Sequence, residues 1–581
     1  MRLRTPFLLV ITLAACTDPP PPTPDASMAD ASIDGHIVDA FVADDTDVHH
    51  GLRMPACEDT DPAPIAALPH YPSTLMGTYV PHALRLAAPG PLNPAVESGE
   101  MMYRAAGYHL VDTGPGQAHV VRTDLGGAAT TSTDRRSLAW LAHLSDFQLA
   151  DDEAPTRLAH TDNPAVGGGL RSQEAYLPRA VSAMNRTFTR IDAASRGFDV
   201  GIITGDCSDS ALANELHWVI DVMNGTPALE TDSGDDDDPI PGPNNDPKDP
   251  FDPVAFPAPW LYVPGNHDVE IVGVTAPGPT ERMNALGTRA RQGTRDYRQW
   301  YAPVTTGDVP PDPARIVVDR DGIAQIVRDA ASAGPMGPVG HGFPATGTFD
   351  TSLGANWSYD VIPNVLRIVS IDTSDRTGGS QGMVLQAMVD GWLMPELARA
   401  VTDGVLVILA SHHATQAIDT FQGQIGSTPM PGALEASAIE ALVAMHPEVI
   451  AWLVGHDHDN RIRAVHGPDA AHPGYWQIMT SAIADWPSQA RTLEVVDNAD
   501  GTLSIFATLV DYDTDDCFER RYRALTQMEW ITGWSEDRTH DAPNHNVELI
   551  RSIPSSAAAR ITAAHATAAT RIESLTTLTG S

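Results

Sequence analysis

The sequence predicts an α/β protein in which β-strands and α-helices alternate in packed layers. Three observations lead to this fold class. Short apolar runs of strand length recur along the chain, and longer segments with helical periodicity separate them. Small clusters of polar residues directly follow the apolar runs, where the strands of an α/β sheet present ligand sites at their carboxyl ends. With 42% hydrophobic residues among 581, the chain has enough apolar surface for a large core.

The predicted elements follow one another from residue 118 onward. A short strand is predicted in AHVVRTDL, 118–125. Buried strands are predicted at 137–146, 198–206, 260–268, 365–373, 405–413 and 448–458, with helices at 172–194, 210–223 and 381–401. The later runs YWQIMTS, RTLEVVD and TLSIFATLVDYD are predicted to be strands of a second sheet.

The N-terminus has the features of a targeting segment. Arg2 and Arg4 precede a short apolar core, and residues 1–15 are predicted to be a signal peptide. The ending Leu-Ala-Ala-Cys resembles a bacterial lipoprotein box, which predicts lipidation of Cys16; an ordinary secretory signal with an incidental cysteine is the alternative. Residues 16–54, rich in Pro, Asp and Ala, are predicted to be a disordered linker. We therefore expect an exported lipoprotein that faces the periplasm or the cell surface.

One large domain is predicted over residues 55–530, followed by a helical C-terminal extension over 531–581. An acidic, Pro/Gly-rich insertion at about 231–255 is expected to be a solvated loop, because it lacks the ordered register of a calcium loop. A second insertion, at about 270–355, has possible helices near 280–300 and 323–332. It either forms a lid over the site or lies at the periphery.

The charge balance excludes two classes of partner. There are 36 Lys and Arg residues against 75 Asp and Glu, a formal net charge of −39. A nucleic-acid-binding surface needs basic residues, and so does docking on anionic lipid, so membrane contact is expected only through the lipid anchor. Of the cysteines outside the signal, Cys57 and Cys517 could pair in an oxidising compartment, and Cys207 is expected to be a small buried residue.

Five polar motifs stand at the ends of the predicted strands. They are Asp146-Phe147-Gln148, Gly205-Asp206-Cys207-Ser208-Asp209, Gly265-Asn266-His267-Asp268, His412-His413 and Gly455-His456-Asp457-His458. Carboxylate, amide and imidazole groups that converge on one sheet edge would repel or stay unsatisfied without cations. A pair of divalent metal ions with one bridging carboxylate resolves this conflict. The three motif glycines are predicted to let the chain turn sharply, so that the next side chains face the site.

Charged residues near the first motif are less informative. Arg157, Arg171 and Arg179 could meet a phosphate, although surface salt bridges are the commoner fate of arginine. The acidic run 151–153 could add an outer ligand, but a solvated loop is the favoured interpretation.

The order of the five motifs resembles that of the calcineurin-like metallophosphoesterase superfamily, whose pattern is D-x-H, G-D-x-x-[DN], G-N-H-[DE], H and G-H-x-H. The resemblance covers roughly residues 137–510, and four of the five motifs are intact. It implies a four-layer αββα sandwich of two mixed β-sheets flanked by helices, with the metal site at the carboxyl ends of strands. The long insertions resemble those of a group of exported bacterial members.

The resemblance also implies a role for each motif residue. Asp146, Gln148 and His458 would hold one metal ion, Asn266, His412 and His456 would hold the other, and Asp206 would bridge both. His267 would act on the transferring phosphoryl group as an acid or a charge stabiliser, helped by a carboxylate such as Asp268. Asp209 is expected to orient a ligand or cap the following helix. His413 is a ligand, a substrate contact or a packed neighbour, with packing favoured.

Gln148 stands where the superfamily pattern has histidine. Its amide oxygen can coordinate a metal ion, but it is neutral and a weaker donor than imidazole. Three outcomes are open: a more loosely held first metal, a preference for Mn²⁺, Mg²⁺ or Ca²⁺ over Zn²⁺, or activity with one tightly held metal.

These features predict a hydrolase of phosphate monoesters or diesters that uses two divalent metal ions (Mn, Fe, Zn or Mg) and a hydroxide shared between them. The expected substrate is a small phosphate ester or one of phospholipid or nucleotide type. The competing prediction, from a different functional class, is a degenerate surface lipoprotein with a binding or structural role. The intact GNHD and GHDH motifs favour the enzyme, because such polar clusters are costly to keep without a function.

Overall fold

Two mixed β-sheets form the centre of the protein. The computed structural model describes residues 67–82, 97–157, 159, 172–234, 238–330, 337–346, 349–375, 377–423, 428–530 and 542–580. The strands are β1 (Gly77–Pro81), β2 (Val111–Pro115), β3 (Val120–Arg122), β4 (Arg136–Leu144), β5 (Val200–Ile203), β6 (Trp260–Tyr262), β7 (Arg289–Arg295), β8 (Val304–Asp308), β9 (Trp357–Ile362), β10 (Leu366–Ser370), β11 (Leu406–Ala410), β12 (Val449–Val454), β13 (Arg461–Asp469), β14 (His472–Met479), β15 (Gln489–Asp497), β16 (Thr502–Asp511) and β17 (Val547–Ser552).

Helices lie between the strands and after them. They are α1 (Glu97–Ala105), α2 (Leu177–Ala194), α3 (Ala213–Asn224), α4 (Pro279–Ala285), α5 (Arg320–Ala330), α6 (Met394–Asp403), α7 (Ala436–Ala444), α8 (Cys517–Glu529) and α9 (Ala558–His565). A π-helical turn, Val389–Leu393, leads into α6. Local sequence explains several helix starts: Pro178 occupies the first turn of α2, and Asp516 and Glu519 form a capping box at α8.

The seven-stranded sheet has the order β3-β17-β16-β15-β4-β5-β6. Its strands β4, β5 and β6 run parallel, and β15 pairs with β4 in the antiparallel sense. The six-stranded sheet has the order β13-β14-β12-β11-β10-β9, and its inner strands β10, β11, β12 and β14 run parallel. The carboxyl ends of the parallel strands are the edges at which an α/β fold carries its ligand sites.

The apolar side chains show that the sheets are stacked in layers. Leu366 and Ile368 of β10 belong to the large core that also contains Leu141 of β4, whereas Val369 packs with Leu397 of α6. Because neighbouring strand residues point to opposite faces, the six-stranded sheet is covered by the other sheet on one side and by helices on the other. Strand β4 is buried on both faces from Ser137 onward, and the apolar run Leu138–Ala142 at its centre matches that burial. The prediction of a layered α/β fold with two mixed sheets is confirmed.

The division of strands between the sheets differs from the prediction. The run YWQIMTS lies in β14, beside β12 in the six-stranded sheet. RTLEVVD lies in β15, beside β4 in the seven-stranded sheet, and TLSIFATLVDYD lies in β16, on the other side of β15. The three runs are strands, but they do not form one second sheet. Alternation of side chains identifies a strand, whereas its partner is set by long-range pairing that the local pattern does not contain.

The insertions are more ordered and more deeply packed than the sequence suggests. Within the acidic insertion, residues 245–249 are buried rather than solvated. In the second insertion, the helix predicted at 280–300 is only α4, and the chain continues as the hairpin of β7 and β8. Gly293 has φ +97°, which would interrupt a helix. The helix predicted near 323–332 is α5.

The C-terminal segment is not a purely helical extension. Strand β17 pairs with β16 and β3 inside the seven-stranded sheet, so this part of the tail completes the domain. Helix α9 follows it, and Ile561 on that helix is 1% exposed. The described part of the tail therefore packs against the domain.

Several predictions concern the N-terminal part of the chain. The signal peptide, Cys16, the linker and Cys57 lie outside the described residues, and the predictions made for them stay predictions. Cys517, at the start of α8, is disulfide-bonded. Cys207 is a free, fully buried thiol, as expected. Across the described parts of the chain, each helix is too short or too polar to cross a membrane.

Candidate metal centre

All five motifs meet where the carboxyl ends of the two sheets come together. The first three follow β4, β5 and β6 of the seven-stranded sheet, and the last two follow β11 and β12 of the six-stranded sheet. Backbone hydrogen bonds tie the loops to one another: Asp146 N–H donates to Gly205 O at 3.0 Å, and Gly455 N–H donates to His412 O at 2.9 Å. The site is therefore shared between the sheets and does not belong to either alone.

The first group of polar side chains is formed by Asp146, Gln148 and His458. Asp146 Oδ1 lies 3.2 Å from His458 Nε2, and the side-chain nitrogen of Gln148 lies 3.3 Å from the same ring nitrogen. The other ring nitrogen, His458 Nδ1, is hydrogen-bonded to the carboxylate of Asp485. Asp485 thus fixes the imidazole with Nε2 directed toward Asp146, an arrangement common for metal-binding histidines.

The second group is formed by Asp206, His412 and His456. Asp206 Oδ2 lies 3.0 Å from His412 Nε2, and His456 Nδ1 lies 3.2 Å from that same nitrogen. His412 Nδ1 lies 2.7 Å from Thr204 O, so this nitrogen donates to the carbonyl and Nε2 faces the site. His412 Nε2 is also 3.9 Å from Asp146 Oδ1, which brings the two groups into contact.

Two buried oxygens in this cluster, Gln148 Oε1 and Asn266 Oδ1, have no hydrogen-bond partner among the described residues. A third, Asp146 Oδ1, faces the imidazole nitrogens of His458 and His412, at 3.2 Å and 3.9 Å. All three side chains are no more than 2% exposed. Leaving such atoms unpaired costs free energy, so their presence points to a ligand that is not protein. Oxygen and imidazole donors of this kind suit a divalent cation, and the residues present fit metal ions.

The electrostatics of the site point in the same direction. Burial alone would lower the pKa of His412, but the carboxylates of Asp206 and Asp146 raise it to about 10. Burial and the adjacent charge of His412 lower the pKa of His456 to about 4. The carboxylates of Asp206 and Asp146 thus favour a positive charge at the position of His412. Either a proton on the imidazole or a bound metal ion can supply that charge.

The backbone at the site is strained. Five predicted ligand residues have left-handed φ values, between 46° and 77°: Asp146, Gln148, Asp206, His456 and His458. Each such conformation costs of order 1–3 kcal/mol for a residue other than glycine. The left-handed conformations direct the polar side chains of each motif into the same small volume. If each strand continued in an extended conformation, successive side chains would point to opposite faces of the sheet. The rest of the fold must supply the free energy that maintains the left-handed conformations.

The motif glycines serve two different purposes. Gly205 has φ +92°, as expected for a sharp turn. Gly265 and Gly455 are not left-handed; instead, a Cβ at Gly265 would lie 2.1 Å from Asp206 Oδ1, and a Cβ at Gly455 would lie 2.0 Å from Ser145 Oγ. These two positions need glycine because another loop approaches closely, and not for the turn that the sequence suggested.

The partner of His267 is Asp209 rather than Asp268. His267 Nδ1 lies 2.8 Å from Asp209 O and 3.6 Å from Asp209 Oδ1. Burial would lower the pKa of His267, but the charges of Asp206 and Asp209 raise it to about 9. The carboxylate of Asp268 instead accepts from Cys207 N, Ser208 N, Ser208 Oγ and Gly265 N. Asp268 therefore braces the second and third motifs together, and the catalytic role predicted for it is corrected to a structural one.

His413 lies beside the second group, with its ring centroid 4.3 Å from that of His456, and the three histidines 412, 413 and 456 are close enough together to hold a metal ion. His413 Nδ1 lies 2.9 Å from Thr373 Oγ1, and its Nε2 lies 3.2 Å from Ser380 O. The side chain is fully buried. Both ring nitrogens thus have protein partners, which is compatible with packing, and the three roles predicted for His413 stay predictions.

Sequence reasoning missed two residues that orient ligands. Asp485 bonds His458, and Thr204 holds His412 through its backbone carbonyl. Thr204 directly precedes Gly205 and Asp206 at the end of β5, and this position in the sequence could have indicated that it lies beside the site. Asp485 lies in a loop after β14 and has no motif spacing that would reveal it.

A network of buried ion pairs lies behind the first and second motifs. Arg157 contacts both Asp209 and Glu174, and each of the three side chains is no more than 2% exposed. The network continues through three further pairs: Arg295 with Glu174 at 3.1 Å, Arg315 with Asp151 at 2.8 Å, and Lys248 with Asp152 at 2.5 Å. Both insertions contribute cations to it. The acidic run 151–153 after the first motif is thus buried in ion pairs, and it is neither a solvated loop nor an outer ligand. Arg157 likewise forms buried ion pairs, and not the phosphate contact or the surface salt bridge considered from the sequence.

The two other arginines considered from the sequence have different outcomes. Arg179 is 5% exposed and lies over the ring of Phe251, 4.3 Å from its centroid. Arg171 lies outside the described residues.

The Gln148→His substitution is expected to strengthen metal binding at the first group. Histidine tolerates the left-handed backbone at position 148, and its imidazole is a better donor for Zn²⁺ than an amide oxygen. We expect zinc affinity to rise by about tenfold or more, the size of effect that ligand-shell changes produce. Competition with a chromogenic chelator measures this, with Gln386→His, an exposed change, as the matched control. Equal affinities in all three proteins would show that position 148 does not face the metal.

Comparisons with known proteins give structural likenesses only. No protein-family model matches the chain, and no curated protein matches it. Among solved structures, one similar chain is a protein from Staphylococcus aureus assigned as a 5′-nucleotidase and solved with alpha-ketoglutarate (12% identity, TM-score 0.30, 65% of this chain and 55% of that chain). Two others are PhoD (9%, 0.26, 70% and 78%) and GAP50, the anchor in the inner membrane complex of Plasmodium (9%, 0.23, 65% and 89%). The match spans little more than half of the S. aureus chain.

The chain's own motifs and sheets are the basis for a resemblance to one superfamily. Two mixed sheets flanked by helices carry five motifs, in the predicted order, to one shared edge. In motif order, sheet arrangement and ligand set, this protein resembles the calcineurin-like metallophosphoesterases, with glutamine in place of the first histidine.

Proposed function

We propose that this protein hydrolyses phosphate esters with a dinuclear divalent-metal centre. The observation that carries the proposal is the pair of buried, unpartnered amide oxygens of Gln148 and Asn266 beside two opposed imidazoles. Asp146, Gln148 and His458 would hold one ion, Asn266, His412 and His456 the other, and Asp206 would serve both. Bound there, two divalent ions would supply a water of lowered pKa and charge neutralisation for the phosphate oxygens.

The side chains around the ions have separate tasks in this proposal. Asp485 and Thr204 keep the ligating nitrogens of His458 and His412 directed inward. His267 donates from Nδ1 to Asp209 O, so its Nε2 is the atom that can hand a proton to the departing alkoxide. The His267 side chain is 16% exposed, whereas Asp146, Asp206 and His412 are at most 1% exposed, as expected for a residue that meets substrate.

A direct test uses the purified protein loaded with Mn²⁺ and two substrates, 4-nitrophenyl phosphate and bis(4-nitrophenyl) phosphate. We expect metal-dependent release of nitrophenol from at least one of them, and the ratio of the two rates separates a monoesterase from a diesterase. Protein stripped with a chelator is the control, and re-addition of the ion should restore the rate. Absence of bound metal together with absence of turnover would instead favour a non-catalytic binding protein with this fold.

The His267→Ala substitution is expected to lower kcat by about 10²-fold to 10⁴-fold, the usual contribution of a positioned general acid. The loss should be larger for phenyl phosphate than for 4-nitrophenyl phosphate, because the poorer leaving group depends more on the proton. Steady-state kinetics and metal analysis check this together, since metal content should stay at the wild-type level. An equal loss for both esters would assign His267 to charge stabilisation, and no loss would remove it from the mechanism.

A further inference from the structure

The second insertion begins with a tight turn that lies against the third motif. Ile271 N–H donates to Thr275 O at 3.0 Å, and Thr275 N–H donates to Ile271 O at 3.1 Å, so these two residues pair in both directions. Between them the chain reverses through Val272 and Gly273, whose φ values are +45° and +67°. We call this segment the 271–275 turn.

The backbone carbonyl of Gly273 fixes the orientation of the Asn266 amide. Asn266 Nδ2 donates to Gly273 O at 2.9 Å. A carbonyl oxygen only accepts hydrogen bonds, so this contact settles which end of the amide faces the turn. The other end, Asn266 Oδ1, has no hydrogen-bond partner within the described part of the chain, and the residue is 2% exposed. The bond to the turn therefore leaves free the one side-chain atom of Asn266 that can bind a metal ion.

The same glycine makes room for the imidazole of His267. A Cβ at Gly273 would overlap Nε2 and Cδ2 of His267, and it would lie 2.6 Å from Asn266 Nδ2. Nε2 is the nitrogen that can donate a proton to the leaving group, because Nδ1 is hydrogen-bonded to Asp209 O. The ring of His267 thus occupies the space that a side chain at position 273 would fill.

The 271–275 turn is strained, and its neighbours brace it. Val272 is β-branched, and a left-handed φ at such a residue costs of order 1–3 kcal/mol. Its side chain packs on a small apolar cluster that includes Ala285 of α4 and Val317, both in the second insertion. On the other side, Gly379 N–H donates to Val274 O at 2.8 Å. A strained turn persists only where the surrounding structure holds it, so the position of Gly273 is set by the insertion.

We infer that Gly273 is a positioning residue of the metal centre, and that the second insertion takes part in the site through it. Gly273 acts through two neighbours. Its carbonyl orients Asn266 as a metal ligand, and its missing side chain lets His267 take the place from which it donates a proton. The part that concerns His267 rests on the proposed function, whereas the part that concerns Asn266 requires only that the site binds a metal ion.

The first experiment measures the affinity of the full chain for Mn²⁺ by competition with a chromogenic chelator. In Gly273→Ala the new methyl group pushes the Asn266 amide and the turn apart, so affinity should fall about 10-fold to 100-fold, the usual effect of losing a partner that orients a ligand. Gly501→Ala is the matched control, because Gly501 also has a left-handed φ, +88°, and a Cβ there would meet no atom within 4 Å. Equal affinities in the two variants would overturn the role of Gly273 in orienting Asn266.

Thermal melting checks that each variant is folded. If Gly273→Ala does not fold, the same measurement compares His267→Ala with the double variant His267→Ala/Gly273→Ala. There the ring no longer fills the space of the methyl group, while the contact with Asn266 Nδ2 remains. The affinity should again fall in the double variant, and an unchanged affinity would overturn the role of Gly273 in the same way.

The second experiment tests the action through His267 with a double-mutant cycle at saturating Mn²⁺. With the better of the two nitrophenyl esters, Gly273→Ala should lower kcat about 10-fold to 100-fold, the size of effect that a small misplacement of a catalytic group produces. In the His267→Ala protein the same change should lower kcat by no more than about 3-fold, because the group that it displaces is gone. Equal losses in both proteins would overturn the action through His267. If Mn²⁺ affinity falls as expected but the wild-type protein hydrolyses no ester, the proposed function fails and the positioning of Asn266 by Gly273 stands.

Discussion

Replacement of Asp206 by asparagine is expected to abolish hydrolysis of phosphate esters and to reduce the metal content of the protein. Asp206 is 1% exposed, its Oδ2 lies 3.0 Å from His412 Nε2, and its Oδ1 accepts the N–H of His267 at 2.8 Å. The facing imidazoles outweigh the effect of burial, and they hold the pKa of this carboxyl well below its usual range. Asp206 is therefore the negative charge around which both ligand groups are arranged.

Asparagine keeps the size of the side chain and removes that charge. Charge stabilisation by metal ions is worth several kcal/mol in the transition state, so we expect kcat/KM to fall by about 10³-fold or more. Metal analysis after gel filtration should show the loss of at least one ion. Asp308→Asn, an exposed change of the same type, should leave both quantities unchanged. Full activity in Asp206→Asn would rule out the proposed bridging role.

Replacement of Arg157 by alanine is expected to destabilise the fold by about 3–5 kcal/mol, the cost of removing one partner of a buried ion pair. Arg157 contacts Asp209 and Glu174, and all three side chains are at most 2% exposed. Its removal would leave two carboxylates in the interior without their shared counter-charge. Glu215, whose pKa is raised to about 8 by burial and by Asp209, lies in the same region and adds to the excess of buried acid.

The matched control for this prediction is Arg399→Ala. Arg399 pairs with Glu396 on the surface of α6, with 48% of its side chain exposed, and such pairs contribute about 1 kcal/mol or less. Urea unfolding followed by tryptophan fluorescence should show a much lower midpoint for Arg157→Ala than for the control. Similar midpoints would mean that the buried network relaxes or admits water. Arg157→Lys should recover only part of the loss, because an ammonium cannot contact both carboxylates in the way a guanidinium fork does.

The sequence predicted the ligand-bearing motifs because each stands at the end of an apolar strand. Strand β4 is apolar on both faces and ends two residues before Asp146, and β11 ends two residues before His412. Such a pattern is local, so the polar residues that follow each apolar run can be placed at the edge of a sheet from the neighbouring sequence alone. The candidate ligands could therefore be identified without knowing which of the two sheets contains each strand.

Features that depend on long-range contacts could not be predicted in this way. His267 has Asp209 as its neighbour rather than Asp268 because of how two loops cross, and the sequence could not show this because each aspartate is the last residue of its motif. The pairing of β15 with β4 depends on contacts more than 300 residues apart in the chain. The acidic run at 151–153 looks like a solvated loop until the cations of two distant insertions are placed beside it.

The buried pair between Lys248 and Asp152 has a practical consequence. Lys248 is the sole lysine in the sequence, and its side chain is 1% exposed. Every other basic side chain is an arginine or a histidine, so an amine-reactive reagent has one side-chain target, and that target is hidden in the folded state. The rate at which the reagent modifies Lys248 would then report how often the interior behind the metal ligands opens to solvent. The chain thus carries its own reporter of local unfolding, at the place where the acidic insertion meets the site.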